Sequence, residues 1–261
     1  MIRLKTEEDI EIMREGGKIS RNILDEALKR CVPGKVLSNL DAEIGSLMAE
    51  NGVKPWFPEI DNYPANTCIS VNEVWLHGIP NDYVLRHGDV VSVDIGVKYK
   101  GFYLDNCWTV VANEKNSTKS DIRAAYTGAG AKIKAFLKCG EEALFKAIGQ
   151  AQVGKRTGDI SAAMQKIAES RGYSVIRDFA GHGVGYSSHE DPQILCYGTP
   201  GAGSTLKECM VLAIEIMYTM GNSKIKTAKD GWGIITADGA ISAMFEHTVA
   251  ITSNGPKILT N

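Results

Sequence analysis

Apolar residues recur at helical spacing in the first fifty residues, which predicts two helices. The first begins at Thr6, where Asp9 three residues later completes a capping-box pattern, and continues to about Arg30. Its apolar positions follow the spacing of one buried helix face: Ile12, Ile19, Ile23, Leu24, Ala27 and Leu28. The second helix runs from about Asn39 to Glu50, and Asn51-Gly52 then suits a left-handed C-cap.

The same pattern returns 120 residues later in the chain. With this shift, PGKVLSNLDAEIGSLMAENGV lies over VGKRTGDISAAMQKIAESRGY without a gap, and Gly34 falls on Gly154. The helix, the Gly-Lys turn, the second helix and the terminal glycine all keep register. We therefore interpret the chain as an internal duplication, with repeats at approximately 5–115 and 121–252.

Each repeat continues into segments rich in Val, Ile and aromatic residues with alternating polarity, which predicts strands. The predicted strands lie near 67–72, 89–98, 102–112, 174–179, 209–220, 232–236 and 244–252. This order predicts an α+β protein in which two helix-then-strand halves share one sheet. Because neither a linker nor a low-complexity run separates the halves, residues 1–261 are interpreted as one domain.

One predicted hairpin, VDIGVKYKGFYLDN, carries two aspartates, Asp94 and Asp105. A turn centred between Tyr99 and Lys100 would place them directly opposite each other. Their Cβ atoms would then be about 4.5–5.5 Å apart, and like charges at that distance repel. Either this face of the hairpin is wet, or a cation neutralises the pair.

Composition and charge narrow the classes of function. The net charge of −2 provides no basic field for nucleic acid or a membrane surface. The acidic N-terminal sequence MIRLKTEEDIEIM lacks the apolar core of a signal peptide, and no apolar run is long enough to span a bilayer. None of the six cysteines forms a C-x-x-C pair, so free thiols in the cytoplasm are expected.

Three more side chains in the second half are potential metal ligands: His182 in FAGHGVGYSSHEDP, Glu215 in VLAIEIMY and Glu246 in AMFEHTVAI. Taken singly, each glutamate is also typical of the solvent face of a strand, and His182 of a loop. Glu215, however, interrupts an apolar run where an unpaired carboxylate is costly to bury. Four carboxylates and one imidazole together suit a pair of divalent cations.

These motifs, in this order, resemble the type I methionine aminopeptidases. The resemblance rests on NEVWLHGIP (72–80), the aspartate hairpin, GHGVG, HEDP, the Glu215 strand and FEHT. It covers nearly the whole chain, from about residue 5 to 253. It implies the pita-bread fold, in which two pseudo-twofold related helix-strand halves share a curved, mostly antiparallel sheet. That internal symmetry agrees with the 120-residue repeat.

The resemblance also implies roles for the ligands. Asp94 would chelate one of two divalent metal ions, Asp105 and Glu246 would bridge both, and His182 and Glu215 would complete the other shell. A water or hydroxide between the ions would attack the first peptide bond. Glu215 would also carry that water's proton to the leaving amine. The identity of the metal (Co, Mn, Fe or Zn) stays open.

Five further residues match the family's substrate-contacting positions. His77 would contact the scissile nitrogen, and His189 would stabilise the oxyanion. Tyr63, Cys68 and Trp232 would line the pocket for the methionine thioether. Without the resemblance, the two histidines are more typical of a packed loop and a capped turn, and Cys68 and Trp232 are equally typical of core packing.

Three departures from the family pattern concern specificity. Ile216 stands where the family usually has proline after the glutamate, Ser188 stands where an aromatic residue often precedes the histidine, and PEIDNY (58–63) lacks the usual histidine and glycine. None of them is a metal ligand.

The expected function is removal of initiator methionine from nascent proteins with a small second residue, by a monomer. The ribosome is a further candidate partner. The alternatives are a paralogue with broadened or shifted specificity, an enzyme that cuts before proline, and a non-catalytic binding member of the same fold.

Overall fold

Two helical hairpins pack against strands, and the second helices of the hairpins lie 120 residues apart in the chain. The computed structural model describes residues 2–113 and 129–261. Its helices in these ranges are α1 (Glu7–Lys29), α2 (Leu37–Glu50), α3 (Ala129–Ile148) and α4 (Thr157–Ser170). The predicted repeat boundaries at 115 and 121 lie outside the described residues.

The predicted helix caps are confirmed. The Thr6 hydroxyl accepts a hydrogen bond from the Asp9 N–H at 3.1 Å, and the Asp9 carboxylate accepts the Thr6 N–H at 2.8 Å. The glycines that follow the second helix of each hairpin, Gly52 and Gly172, have φ of 70° and 80°. Both therefore occupy the left-handed region in which a glycine ends a helix without a steric penalty.

Thirteen strands are described, some of them only two or three residues long. Those of the first half are β1 (Lys54–Pro55), β2 (Cys68–Val71), β3 (Val74–Leu76), β4 (Val90–Tyr99) and β5 (Phe102–Val111). Those of the second half are β6 (Ser174–Val175), β7 (Ala180–Gly183), β8 (Glu190–Leu195), β9 (Val211–Thr219), β10 (Ile225–Thr227), β11 (Ile234–Thr236), β12 (Ser242–Thr252) and β13 (Gly255–Ile258).

The described strands pair antiparallel throughout, as the α+β prediction requires. In the first half the order is β1-β4-β2, with β5 also paired to β4. In the second half it is β13-β12-β9-β7-β8, with β6 also paired to β9. A small third sheet, β10-β11-β3, takes strands from both halves.

The two larger sheets meet where β5 lies beside β12, and threonine hydroxyls join them. Thr248 Oγ1 accepts the Asp105 N–H at 3.0 Å and donates to the Asp105 carbonyl at 2.7 Å. Thr109 Oγ1 donates to the Met244 carbonyl at 2.6 Å and accepts its N–H at 3.1 Å. These bonds satisfy backbone groups that would otherwise be buried and unpaired at the seam. They also fix Asp105 near the strand that carries Glu246.

Two large apolar clusters are buried between helices and sheets, one mainly in each half, and each includes a few residues of the other half. All six cysteines are free, and five of them are buried, so they contribute as small apolar groups. Of the helices in residues 2–113 and 129–261, none combines the length and the apolar character that a membrane span needs.

Candidate active site

The aspartate hairpin forms with a register different from the predicted one. Asp94 pairs with Cys107, and Asp105 pairs with Gly96. The prediction that the aspartates are directly opposite is wrong because the turn lies at Lys100-Gly101, with φ of 45° and 89°. Positive φ at both central residues defines a two-residue hairpin turn for which glycine is well suited. An offset of two residues keeps both carboxylates on one face, so the electrostatic problem remains.

Two carboxylates of the second half do lie directly opposite each other. Glu215 on β9 and Glu246 on β12 are cross-strand partners, and both are buried. His182 on β7 pairs with Ala213, so β7 brings the imidazole alongside the strand of Glu215. The acidic residues of the apolar strands therefore do not lie on a wet face.

All five predicted ligands line one cavity of about 450 Å³. One ligand atom each from Asp105, His182 and Glu246 lie within 4.8 Å of one another. His182 Nε2 is 3.9 Å from Asp105 Oδ2. Strands from both halves thus place the five candidate ligands around one cavity: Asp94, Asp105, His182, Glu215 and Glu246.

The hydrogen bonding of this cluster fits divalent cations. Asp94 Oδ1, Asp105 Oδ1 and Glu246 Oε1 are buried without a hydrogen-bond partner in the described part of the chain, and such atoms require an explanation. His182 Nδ1 lies 2.9 Å from the Gly183 carbonyl, the arrangement that leaves the other ring nitrogen free for a metal. Four carboxylates and one imidazole suit oxygen-preferring to borderline divalent ions.

Burial dominates the acid–base behaviour of the carboxylates. It raises the pKa of Asp94 to about 7, and burial followed by the charge of Asp94 raises the pKa of Glu215 to about 8. Burial and then the charges of neighbouring carboxylates also raise the pKa values of Asp105 and Glu246 well above their usual range. The cluster therefore favours protons unless another positive charge takes their place.

The two predicted non-ligand histidines also line this cavity. The His189 ring centroid is 4.2 Å from that of His182 and 5.6 Å from that of Trp56, whose ring meets it edge-on. His77 has φ of 55°, and its ring meets Phe179 edge-on at 5.5 Å. A left-handed backbone at a histidine in a cleft is typical of a functional position. Burial lowers the pKa of His77 to about 4, so the ring is neutral at pH 7.

The predicted thioether pocket forms the apolar end of the cavity. The rings of Tyr63 and Trp232 meet edge-on at 5.1 Å, and both line the cavity together with Cys68. Cys68 lies directly opposite Asp94 in the β2–β4 ladder. Burial and then the charge of Asp94 raise the pKa of its thiol well above the usual range, so the sulfur is a neutral, soft wall group.

The three departures from the family pattern have local structural consequences. The Ser188 hydroxyl lies 3.3 Å from His189 Nδ1, and Ser188 is not among the residues that line the cavity. Ile216 is fully buried in the apolar cluster of the second half and pairs with Phe245. Asp61 and Asn62, which directly precede Tyr63, adopt φ of 45° and 60°, a conformation that these residue types tolerate.

Several residues that line the cavity were not predicted from the sequence. Trp56 and Phe179 supply aromatic walls beside the two histidines, and Gln193 on β8 adds an amide. Phe179 immediately precedes AGHG, so its nearness to the His182 motif was the available signal. Nothing in the local sequence of Trp56 indicates a cavity residue. In the structure it is also a core residue, because its indole packs against Gly96 of β4 and donates to the Leu104 carbonyl at 3.0 Å.

Comparison with known proteins agrees with this geometry. The model of metallopeptidase family M24 matches residues 11–253. The methionine aminopeptidase of Clostridium perfringens is 42% identical, over 100% of this chain and 99% of the relative. Methionine aminopeptidase 1 of Bacillus subtilis is 40% identical, over 100% of this chain and 99% of the relative.

Solved structures give the same result for the fold. The crystal structure of methionine aminopeptidase from Thermotoga maritima superposes with a TM-score of 0.92 at 41% identity and covers 100% of both chains. Prolidase from Pyrococcus furiosus superposes with a TM-score of 0.73 at 27% identity, over 99% of this chain and 65% of the prolidase. The predicted pita-bread fold is confirmed.

Proposed function

This chain belongs to the methionine aminopeptidases of metallopeptidase family M24, and we propose that it removes the initiator methionine from nascent proteins at the carboxylate–histidine cluster. The observation that carries the proposal is the convergence of five predicted ligands beside an aromatic and thiol-lined pocket. Three of their carboxylate oxygens have no hydrogen-bond partner within residues 2–113 and 129–261. Proteins with a small second residue are the proposed substrates.

In this proposal two divalent ions are held by the predicted ligand set. Asp94 would be a ligand of one ion, His182 and Glu215 would be ligands of the other, and Asp105 and Glu246 would be ligands of both. The bound ions supply Lewis acidity toward the scissile carbonyl and lower the pKa of the attacking water. The hydrogen-bond geometry of His182 and the orphaned oxygens support the set. The donor types do not distinguish manganese, iron, cobalt and zinc.

Glu215 is the proposed carrier of the proton. Its carboxylate takes a proton from the attacking water and delivers it to the nitrogen of the leaving peptide. The position of Glu215 in the wall of the cavity, opposite Glu246 in the β9–β12 ladder, supports this role, because a general acid–base residue must lie within reach of the reacting atoms.

The two histidines act on the two ends of the scissile bond. The proposed role of His189 is to donate an N–H to the oxyanion of the carbonyl. The contacts of its ring with the rings of His182 and Trp56 support this role, since a preorganised donor does not have to be oriented during the reaction. His77 contacts the scissile nitrogen in the proposal. The half-buried site keeps its ring neutral and therefore able to accept or donate a hydrogen bond.

The side chain of the first residue occupies the pocket formed by Tyr63, Cys68 and Trp232. Aromatic edges and a thiol attract a thioether in addition to burying it. We further propose that residues 1–261 act as a single catalytic domain derived from a duplication, and that the protein works as a monomer in the cytoplasm, where its free cysteines would stay reduced. Contact with the ribosome is part of the same proposal.

The test is hydrolysis of the peptides X-Ala-Ser, where X is Met, norleucine, Leu, Ala or Phe, by the protein supplied with manganese or cobalt ions. Met-Pro-Ser runs beside them, because prolidases share the fold. Glu215→Ala is compared with Glu8→Ala, a change at an exposed glutamate of α1.

The proposal is supported if the wild type and Glu8→Ala cleave the Met peptide preferentially and Glu215→Ala does not cleave it. Similar cleavage of all X peptides would indicate a paralogue of broad specificity. No turnover with any metal would indicate a binding protein.

A further inference from the structure

A buried aspartate on α2 holds the segment that forms one wall of the methionine pocket. Asp41 is 8% exposed and does not line the cavity. Its Oδ1 accepts the Thr67 N–H at 2.8 Å and the Thr67 hydroxyl at 2.7 Å. Its Oδ2 accepts the Asn66 side-chain amide at 2.9 Å and the Asn66 N–H at 3.3 Å. An ionised carboxylate has about four acceptor positions, so the four hydrogen bonds from Asn66 and Thr67 occupy all the acceptor positions of Asp41.

The same segment carries two of the pocket residues. The Tyr63 hydroxyl lies 3.2 Å from the Thr67 carbonyl and 3.0 Å from the Gly78 carbonyl, and either carbonyl can accept a hydrogen bond from it. Cys68 follows Thr67 directly and begins β2. The hydrogen bonds that Asp41 accepts therefore fix Thr67. This one residue accepts from the Tyr63 hydroxyl and directly precedes Cys68.

Close packing of the helix on the segment is a second, independent observation. A Cβ at Gly45, one helical turn after Asp41, would lie 2.8 Å from the Asn66 side-chain nitrogen. The absence of a side chain at Gly45 thus leaves room for the Asn66 amide against the helix. The contact is short, buried and charge-assisted, and hydrogen bonds of this kind are stronger than those between neutral groups.

We propose that Asp41 is a positioning residue that determines the specificity of the pocket for methionine. It acts through Asn66 and Thr67 on Tyr63 and Cys68, without touching the substrate. The inference rests on the proposed function, because it concerns the side-chain pocket of that reaction. Weakening the anchor lets the wall shift, so the unbranched thioether loses its advantage over a branched side chain.

The experiment compares Asp41→Asn with the wild type on Met-Ala-Ser, norleucine-Ala-Ser and Leu-Ala-Ser. Asparagine keeps the size of the side chain and removes the charge and one acceptor oxygen. We expect the ratio of kcat/KM for Met over Leu to fall roughly tenfold, the low end of what small shape differences in apolar pockets produce. The larger part of the change should be an increase in KM for the Met peptide.

This ratio distinguishes positioning from simple loss of folded protein. Unfolding lowers the active fraction equally for every substrate and leaves the ratio unchanged. The control is Ser161→Ala at the position of α4 that is related to Asp41 by 120 residues. Ser161 is also buried, but its hydroxyl donates to the Thr157 carbonyl of its own helix, so its loss should not alter the ratio.

An unchanged Met:Leu ratio in Asp41→Asn would overturn the inference. If that variant does not fold, Thr67→Val decides, since it removes the hydroxyl donor and keeps the shape. A smaller fall in the ratio supports the proposal, and no fall refutes it. Failure of the wild type to cleave Met-Ala-Ser would count against the proposed function instead, so the two failures are distinguishable.

Discussion

Glu215 and Glu246 are direct cross-strand partners in the ladder between β9 and β12, and both are buried. Like charges at directly opposite positions destabilise a strand pair. Asp94 and Asp105 project into the same cavity from the other half. The fold therefore concentrates negative charge at the seam of its two halves, and the stability of the protein should depend on what neutralises that charge.

Removal of metal should make the stability of this protein sensitive to alkaline pH. The pKa values of Asp94 and Glu215 are raised by burial to about 7 and about 8, whereas unfolded carboxyls titrate near 4. The folded state thus holds more protons, so this stability is full below pH 4 and is lost as pH rises through 7 and 8. With a chelator, Tm should be lower at pH 8 than at pH 6, by about 4 °C or more.

The control for this measurement is the same pair of scans with excess manganese. Metal charge takes the place of the protons, so the difference between the two pH values should shrink. A chelated protein equally stable at both pH values would contradict the interpretation of the cluster as a cation site.

Substitution of His189 should reduce turnover much more than binding. His189→Ala removes the proposed donor to the oxyanion, and loss of one such donor commonly costs about 10²–10³ in kcat. KM for Met-Ala-Ser should change little. His87→Ala, at an exposed loop histidine, is the matched control. An increase in KM with kcat retained would instead make His189 a residue that binds the ground state.

The ion pair between Lys5 and Glu190 should be important for stability. Its charged atoms are 2.5 Å apart, and the side chains are 1% and 4% exposed. Glu190 Oε1 also accepts the Ser187 N–H at 2.9 Å. Removing one member of a buried pair leaves an uncompensated charge, which typically costs about 3–5 kcal/mol. Lys5→Met should lower the free energy of unfolding in urea by that amount.

The double variant Lys5→Met/Glu190→Gln checks the cause of this loss. Because no unpaired charge is left, it should recover much of the stability that the single variant loses. If the two changes simply add, the pair is not coupled, and packing of the lysine stem against Gly185 accounts for the loss.

Acid should destabilise the protein partly through His77. Its pKa is lowered by burial to about 4, whereas an unfolded histidine titrates near 6.5. The unfolded state takes the proton first, so the contribution of His77 to stability is full above pH 6.5 and is lost as pH falls toward 4. The free energy of unfolding should decrease over this range, and less steeply in His77→Gln. Equal slopes would show that His77 is not kept neutral by the fold.

Local chemistry made the helices and the ligand types predictable from the sequence. The Thr6–Asp9 capping box and the glycine after each helical hairpin act within a few residues, and the structure has both. The five ligand candidates were recognisable because carboxylates and a histidine interrupt apolar or glycine-rich runs, and because their order resembles a family. All five line one cavity, and their roles as ligands stay predictions.

The sequence by itself thus determined the helices, the long strands of the aspartate hairpin and of the two glutamates, the 120-residue register of the helical hairpins and the five candidate ligands. Only the tertiary structure decided the rest. The Asp94–Asp105 register followed from the backbone angles of Lys100 and Gly101, and the Glu215–Glu246 pairing from the β9–β12 ladder. Strand alternation fixes which face a side chain occupies, but its partner depends on contacts between residues far apart in the chain, which local patterns do not encode.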